Sequence, residues 1–522
     1  MKILNLKPVE LTRYFPAFLS GFLMALAFPG VNFFPVAFIG LIPLFLLIEG
    51  MGKKERFFTG LLAGFIQYLI LIHWFLPTMH TYGNLNILVA ASALILLCLY
   101  FAVYFGLFSL IIGAFKTNSL FMPFFAACLW VALEYLRSYI FSGLPWCVTG
   151  YSQYLNHYFI QIADITGVYG VSFIIVLING FAALAIINFK KDKKKVAISG
   201  VFILLTLVAV FSYGILRSRA IDAYIAEATQ TKIAVVQGSI SQDAKWDKRY
   251  VGDTIKTYSI LSEKVSRDKP DLIVWPETAL PFYYGLEKKF SDQVDVCVRQ
   301  SRTNFLIGSP ALKRTKDGVE YYNRAYMLNQ LSMETGKYDK VHLVPFGEYV
   351  PLGKYLSFLG KLTAQSGDFT QGKKGTPPLQ FGKSRTGVLI CFEVIFPDLS
   401  RKFVQKGADI LVTITNDAWF GKSSAAEQHF SMAVFRAIEN RRSLARAANA
   451  GISGFIDPKG VVLQKSELFV EAGLVQDLPM MKIKSFYTIF GDVFAILCSI
   501  AIIVCFVVNI LLIPRRERKA LG

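Results

Sequence analysis

The sequence lacks the residue patterns that hold metal ions, nucleotides or nucleic acids. Its few histidines are scattered without the spacing of metal ligands: His73, His80, His157, His342 and His429. It has no glycine-rich loop of the kind that cradles phosphates. The net charge of +19 comes without an aromatic-interleaved basic patch or a nucleic-acid-binding motif. We therefore expect no metal, no cofactor and no nucleic-acid partner.

The cysteine pattern does not indicate a disulfide framework, because the chain has an odd number of seven cysteines. Four of them lie in strongly apolar runs, where cysteine behaves as a small apolar residue: Cys98, Cys128, Cys498 and Cys505. Cys147, Cys297 and Cys391 remain. A disulfide between Cys297 and Cys391 is one alternative, although Cys297 fits the buried face of a helical pattern.

Charged residues are also scarce, at 17% of the chain, while hydrophobic residues reach 54% and the mean hydropathy is +0.46. An ordinary soluble protein is about 45 to 50% apolar. A bilayer core requires about 20 apolar residues per helix. Eight runs of roughly that length occur, at 12–28, 31–49, 57–77, 87–113, 119–136, 165–189, 196–215 and 492–513. An alternative interpretation of the first run is a cleaved signal peptide, but further spans follow it at once.

The positions of lysine and arginine predict the orientation in the membrane. Basic residues cluster in alternate loops, at 53–56, 190–195 and 515–519, whereas the loops between them carry almost none. Both termini are then cytoplasmic, and the inner membrane is the expected location. The predicted domains are a membrane domain at 1–215, an extracytoplasmic domain at 216–491, and an eighth span with a basic tail at 492–522. Lipid headgroups are the expected partners of the basic loops.

The segment 216–491 has the charge density of a globular domain and alternates between two patterns. Short runs rich in Val and Ile predict buried strands at 232–237, 271–276, 304–308, 324–329, 387–392, 410–415 and 454–457. Helical periodicity fills 253–267, 287–302, 397–406 and 427–442. This alternation is typical of an α/β domain.

Three runs in this domain carry reactive side chains at or after the ends of predicted strands, or in the loops that follow. They are VWPETALP at 274–281, KVHLVPFGEYVP at 340–351 and VLICFEVIFP at 388–397, which contain Glu277, Lys340 and Cys391. In α/β sheets, the carboxyl ends of strands are where catalytic groups collect. A carboxylate, an ammonium and a thiol can together activate a sulfur nucleophile and stabilise an acyl oxyanion.

These runs, with TNDAWFG at 415–421, RAIENRR at 436–442 and AANAGIS at 447–453, resemble the nitrilase superfamily, and the whole chain resembles the apolipoprotein N-acyltransferase family. The resemblance implies an αββα sandwich with a Glu-Lys-Cys triad. It also implies transfer of an acyl chain from a phospholipid to the N-terminal amine of a diacylglyceryl apolipoprotein, through a cysteine thioester. Phe392 departs from the family, in which a tyrosine is common.

In this interpretation Cys391 is the nucleophile, Glu277 the general base and Lys340 the group that holds the oxyanion with the Phe392 N–H. The alternatives are a structural cysteine, a surface glutamate in a turn and a solvated lysine. Glu348 and Glu393 are supporting carboxylates around Lys340, where like charges would raise a carboxylate pKa; each is alternatively a structural anchor. The substrate-binding candidates are Trp246, Trp419 and Tyr349, although aromatics are more often packing residues.

The long apolar connection 349–369 predicts a lid that admits lipid, or else a loop packed on its own domain. Two other functions are compatible with these features. One is a membrane-tethered amidase, since the same triad serves both chemistries. The other is a transporter with an inert outer domain, although the spans hold few charges and no clear inverted repeat. We expect the protein to be a monomer.

Overall fold

The computed structural model describes residues 13–113, 115, 118–316, 318–349 and 369–512. The contacts divide the chain into two compact units. The first, here called the helical unit, comprises Met1–His73, Ala93–Gly214 and Asp492–Gly522. The second, the sheet unit, comprises Trp74–Ser92 and Ile215–Gly491.

The principal helices follow one another along both units. They are α1 (Phe15–Leu26), α2 (Ile42–Leu47), α3 (Lys53–Ile72), α4 (Ile87–Ile112), α5 (Met122–Arg137), α6 (Val168–Asn188), α7 (Lys193–Glu227), α8 (Val251–Ser266), α9 (Lys288–Ser301), α10 (Pro397–Gln405), α11 (Ala425–Asn440) and α12 (Val493–Leu512). Short unnumbered turns of helix cover Phe34–Phe38, Phe75–Pro77, Thr78–Tyr82, Thr149–Gln153, Phe159–Ile162, Ala163–Thr166, Gln242–Lys245, Lys248–Tyr250, Cys391–Ile395, Asp417–Phe420 and Phe486–Phe490.

Among the described residues, four helices, α3, α4, α6 and α7, are long and apolar enough to cross a membrane. Shorter apolar helices cover Phe15–Leu26, Phe34–Leu47 and Val493–Asn509. The predicted run 31–49 is not one continuous helix. It divides into Phe34–Phe38 and α2, and each piece has a proline in its first turn, where proline is tolerated because it lacks an N–H. The chain is therefore a membrane protein by the apolar character of these helices.

Helices α3 and α4 approach closely because small residues lie where they meet. A β-carbon on Gly60 would lie 2.3 Å from the carbonyl oxygen of Phe105, and one on Gly64 would lie 2.9 Å from the Cα of Ala102. Small residues at such contacts allow helix backbones to pack together in lipid.

The described part of the sheet unit forms two six-stranded sheets, ordered β12-β1-β2-β3-β4-β5 and β11-β10-β9-β8-β7-β6. The strands are β1 (Gln230–Gln237), β2 (Leu272–Val274), β3 (Asn304–Thr315), β4 (Gly318–Leu328), β5 (Glu334–Asp339), β6 (Leu379–Phe381), β7 (Ser384–Ile390), β8 (Ile410–Thr415), β9 (Leu444–Ala448), β10 (Gly454–Ile456), β11 (Val462–Lys465) and β12 (Ala472–Pro479). In each sheet three central strands are parallel, β1 to β3 and β7 to β9.

The parallel strands are buried and apolar, which is why the sequence predicts most of them. Residues of β1, β2 and β3 pack with α8 and α9 in one core, where Trp275 stacks on Tyr258 with ring centroids 5.0 Å apart. The strands that the sequence analysis missed are β5, β6, β9, β11 and β12. Of these, β5 and β11 are edge strands with mostly exposed residues, so they carry little of the apolar periodicity that marks a buried strand.

Candidate active site

The three predicted reactive residues lie just beyond strand ends, where the sequence analysis expected them. Glu277 follows β2, Lys340 comes directly after β5, and Cys391 comes directly after β7. Glu277 and Lys340 are buried, with 6% and 1% of their surface exposed, and Cys391 is partly exposed. The fold thus brings three segments that are distant in sequence to one place.

Lys340 is held between two carboxylates. Its Nζ lies 3.4 Å from Oε1 of Glu277 and 3.0 Å from Glu348. Burial alone lowers the pKa of this lysine, but the carboxylates of Glu348 and Glu277 raise it above its ordinary value. Lys340 is therefore a fixed cation at neutral pH.

Asn323, which the sequence analysis did not single out, bridges the same two carboxylates. Its Nδ2 donates to Oε1 of Glu277 at 2.7 Å and to Oε1 of Glu348 at 3.0 Å. The backbone N–H of Lys340 donates to the Asn323 carbonyl at 2.9 Å, which ties β4 to the lysine. No sequence signal points to Asn323, because it lies inside β4. Its side chain reaches the two carboxylates only because the strands pair.

The Glu277 carboxylate is almost fully engaged in hydrogen bonds. Oε1 accepts from Asn323 and Lys340, and Oε2 accepts from the backbone N–H of Asn416 at 2.9 Å. A carboxylate offers about four acceptor positions. This count leaves one lone pair on Oε2 for a proton, so the group is both oriented and able to act as a base.

Cys391 has a backbone φ of +53°, which places the nucleophile candidate in the left-handed region. Burial raises the pKa of its thiol, and the negative charge of Glu277 raises it further, while Lys340 and the Thr415 hydroxyl oppose this effect. At neutral pH the sulfur is consequently a thiol, and its attack requires removal of the proton by a neighbouring base. Cys391 and Cys297 are both free, so they do not form the alternative disulfide.

Glu393 is fully buried and acts on the backbone. Its carboxylate accepts hydrogen bonds from the N–H groups of Ile390, Val341 and His342 and from the Tyr338 hydroxyl, at 2.7 to 3.1 Å. It therefore joins the turn after β5 to the end of β7, instead of pairing directly with the lysine as Glu348 does. Burial raises the pKa of Glu393 to about 7, against these hydrogen bonds.

A second lysine, Lys245, borders the site and was not predicted. It is 2% exposed, and its Nζ donates to the backbone carbonyl of Glu277 at 3.1 Å. Burial lowers its pKa to about 8, although Glu277 and Cys391 act in the opposite direction. The Lys245 side chain thus holds the main chain of Glu277, whereas the Lys340 side chain contacts the carboxylate of Glu277.

The aromatic residues predicted to bind substrate lie in different surroundings. Trp419 contacts the ring of Tyr82 edge-on, with centroids 5.7 Å apart, and its carbonyl accepts from Thr78 at 3.0 Å. Trp246 and Phe392 are partly exposed, with Phe392 packed edge-on against Phe396.

The Tyr349 carbonyl accepts from the Phe346 N–H at 2.8 Å. Most of the predicted lid, 350–368, lies outside the described residues.

Comparison with known proteins gives matches over both units. Residues 20–181 match the apolipoprotein N-acyltransferase N-terminal domain, and residues 232–487 match the carbon-nitrogen hydrolase domain. Apolipoprotein N-acyltransferases of Geobacter metallireducens and Pasteurella multocida are 40% and 31% identical to the chain, covering 93% and 92% of both partners. A carbon-nitrogen hydrolase structure from Helicobacter pylori covers 51% of this chain and 94% of its own, at 18% identity and a TM-score of 0.38.

The two matches follow one another along the chain, the N-acyltransferase N-terminal domain over helices and the carbon-nitrogen hydrolase domain over the residues that form the two sheets. A 40% identity that extends over 93% of both sequences establishes common descent along nearly the full length. The chain belongs to the apolipoprotein N-acyltransferase family.

Proposed function

We propose that the chain transfers an acyl chain from a phospholipid to the N-terminal α-amine of diacylglyceryl-cysteine apolipoproteins, through a thioester on Cys391. Relatives named for N-acylation of apolipoproteins, a carbon-nitrogen hydrolase domain and apolar membrane-type helices support this activity. One observation carries the mechanism. Lys340 forms ion pairs with Glu277 and Glu348, and both Lys340 and Glu277 lie close enough to Cys391 to shift its pKa.

In the first step the Cys391 sulfur attacks the ester carbonyl of the phospholipid while its proton passes to Glu277. The tetrahedral oxyanion forms beside the Lys340 cation and the Phe392 N–H. When the intermediate collapses, the carbon–oxygen ester bond breaks and the lysophospholipid oxygen takes the proton from Glu277. The enzyme then carries an acyl thioester.

In the second step the α-amine of the apolipoprotein attacks the thioester carbonyl. Glu277 accepts the amine proton, an amide bond forms, and the carbon–sulfur bond breaks. The proton returns from Glu277 to the sulfur, which restores the starting state. In each step Glu277 accepts one proton and later gives one back, so the same carboxylate serves the two half-reactions.

Intact-protein mass spectrometry tests this mechanism. After incubation of the full chain with phospholipid in detergent, we expect a gain of one acyl chain on the wild type and no gain on Cys391→Ala. Cys297→Ala is the matched control, because that buried thiol lies in α9, and it should acylate normally. No acyl-enzyme on the wild type, or an acyl-enzyme on Cys391→Ala, contradicts the mechanism. Release of ammonia from small amides would favour a tethered amidase instead.

We also propose eight membrane spans, with domains at 1–215, 216–491 and 492–522, both termini in the cytoplasm, and the catalytic domain on the outer face of the inner membrane. The biased distribution of lysine and arginine and the apolar helices support this topology. In this arrangement the protein is a monomer that meets two lipid substrates. A cysteine introduced at exposed Lys288 should react with a membrane-impermeant maleimide in spheroplasts, whereas one introduced at Lys191 should not.

A further inference from the structure

A buried charged network lies behind the nucleophile and has no part in the mechanism above. It comprises Asp417 after β8, His429 on α11 and Arg446 on β9, each 2% exposed or less. Arg446 Nη2 lies 2.7 Å from Oδ2 of Asp417 and 2.9 Å from Nδ1 of His429. We call these residues the Asp-His-Arg network.

The network ends on the main chain of Cys391. Nε2 of His429 lies 3.2 Å from the Cys391 carbonyl oxygen, and the residue that bears this carbonyl has a φ of +53°. A left-handed conformation is costly for a residue with a side chain, so it persists only where the surroundings fix it. The hydrogen bond from His429 is one such constraint.

The hydrogen bonds also determine which nitrogen of His429 carries the proton. Nδ1 of His429 lies 2.9 Å from Arg446 Nη2, which only donates, and 3.1 Å from Oδ1 of Asp417, which only accepts, while Nε2 faces the Cys391 carbonyl oxygen, which only accepts. A neutral ring with its proton on Nε2 satisfies both the Arg446 and the Cys391 contacts, and Asp417 accepts from Arg446 and Thr415 instead. Burial and the Arg446 charge lower the pKa of His429 below its ordinary value, although Asp417 acts in the opposite direction, and this net shift favours the neutral ring. Nε2–H therefore donates to the Cys391 carbonyl.

Residues around the network hold Asp417 and Arg446 in place. Oδ1 of Asp417 accepts from the Thr415 hydroxyl at 2.9 Å, and Nε of Arg446 donates to the Ile452 carbonyl at 3.1 Å. A β-carbon on Gly451 would lie 2.3 Å from Oδ2 of Asp417, so the carboxylate occupies space that only a glycine leaves open. The network is thus fixed at each of its three corners.

The carbonyl of Cys391 and the N–H of Phe392 belong to the same peptide group. A donor on the oxygen of a peptide fixes its plane and polarises the group, which makes the N–H on the other side a stronger donor. That N–H is the second donor to the oxyanion in the proposed mechanism.

We propose that His429 is a positioning residue that acts through the 391–392 peptide, fixing its plane and strengthening the Phe392 N–H as an oxyanion donor, with Asp417 and Arg446 holding its ring. This inference rests on the proposed acyl transfer. It predicts a defect in reactions that form an oxyanion and little defect in reactions of the thiol that do not.

Two reactions of the full-length protein in detergent separate these effects. One is acyl-enzyme formation from phosphatidylethanolamine, followed by intact mass. The other is alkylation of Cys391 by iodoacetamide, a displacement at a saturated carbon that forms no oxyanion. Removing a direct oxyanion donor costs about 100- to 1000-fold. For His429→Leu, which weakens such a donor indirectly, we expect acylation to slow by about 10- to 100-fold with alkylation within about threefold of wild type.

His429→Gln is the matched variant, because the glutamine amide can place a donor near the position of Nε2. We expect it to recover acylation to within about fivefold of wild type. Three results would each overturn the inference. The first is a wild-type rate of acylation in His429→Leu, and the second is an equal loss of alkylation in that variant. The third is a failure of His429→Gln to recover acylation although its melting temperature is that of the wild type. Absence of acylation in the wild type itself would instead contradict the proposed function.

Discussion

Gly308 lies so close to the Glu277 turn that it has no room for a side chain. A β-carbon at residue 308 would lie 2.8 Å from the Cα of Glu277 and 2.3 Å from the carbonyl oxygen of Pro276. The neighbouring atoms belong to the backbone, which cannot move aside as a flexible side chain can. The small residue on β3 therefore sets the position of the proposed base.

We expect Gly308→Ala to displace Glu277 and to slow acylation of Cys391 by at least about tenfold, since small displacements of catalytic groups have large effects. Crowding a packed interior also costs about 1 to 3 kcal/mol of stability. Gly252→Ala is the control, because nothing lies within 4 Å of its added β-carbon. Single-turnover acylation and melting temperature are the measurements. Equal acylation rates in the two variants would show that Gly308 does not set the geometry.

Glu277→Gln should slow both half-reactions by about 100-fold or more, because an amide keeps the shape of the side chain but cannot accept the proton. The first rate is measured by intact mass with phospholipid. The second is measured by adding a diacylglyceryl peptide to acyl-enzyme that has already formed. Glu263→Gln, at an exposed side chain of α8, should leave both rates unchanged. A loss confined to one half-reaction would mean that another group serves the other step.

Asn323→Asp should shift the acid limb of the pH–rate profile to higher pH by about one unit or more, because a third carboxylate would join Glu277 and Glu348. Like charges at this distance keep one carboxyl group protonated to higher pH. Since the base must be unprotonated, the variant should lose activity at a higher pH than the wild type as the pH falls, and it should recover as the pH rises. Asn323→Leu is the comparison, in which the activity falls without that shift. An unchanged acid limb in Asn323→Asp would argue that the three groups are not coupled.

Lys245 predicts a pH dependence of stability. Its pKa in the folded state is about 8, below the value near 10.5 of a free lysine, so the folded state binds fewer protons between these values. The free energy of unfolding should therefore rise with pH in that window. We expect the melting temperature of the wild type, relative to Lys245→Met, to increase from pH 7.5 to 10. Lys245→Arg, which stays charged, should show no increase, and a constant difference for the wild type would exclude this titration.

Much of the sheet unit could be predicted because its central strands are short, buried and rich in Val and Ile. The strand at 410–415 was predicted with the bounds that the structure gives it, Ile410–Thr415. Edge strands such as Glu334–Asp339 were missed, because half-exposed polar residues carry no apolar periodicity. The membrane runs were recognised by composition, yet the run at 31–49 is divided where prolines begin new helical turns.

The candidate triad could be named from sequence because each member stands in a distinctive run at a strand end. Asn323, Lys245 and His429 could not, because nothing in their local sequence marks them as site residues. Each reaches the site through a contact with a distant segment: 46 residues separate Asn323 from Glu277, and 38 separate His429 from Cys391.

Composition and local runs are enough to predict the membrane character of the chain, its family resemblance and a candidate thiol, lysine and glutamate. Which groups surround these residues depends on the folded chain. It paired Lys340 with Glu277 and Glu348, turned Glu393 toward the backbone, and placed His429 against the Cys391 carbonyl. The physical reason is that hydrogen bonds and charge interactions act over a few ångströms in space, and distance along the chain does not measure that separation.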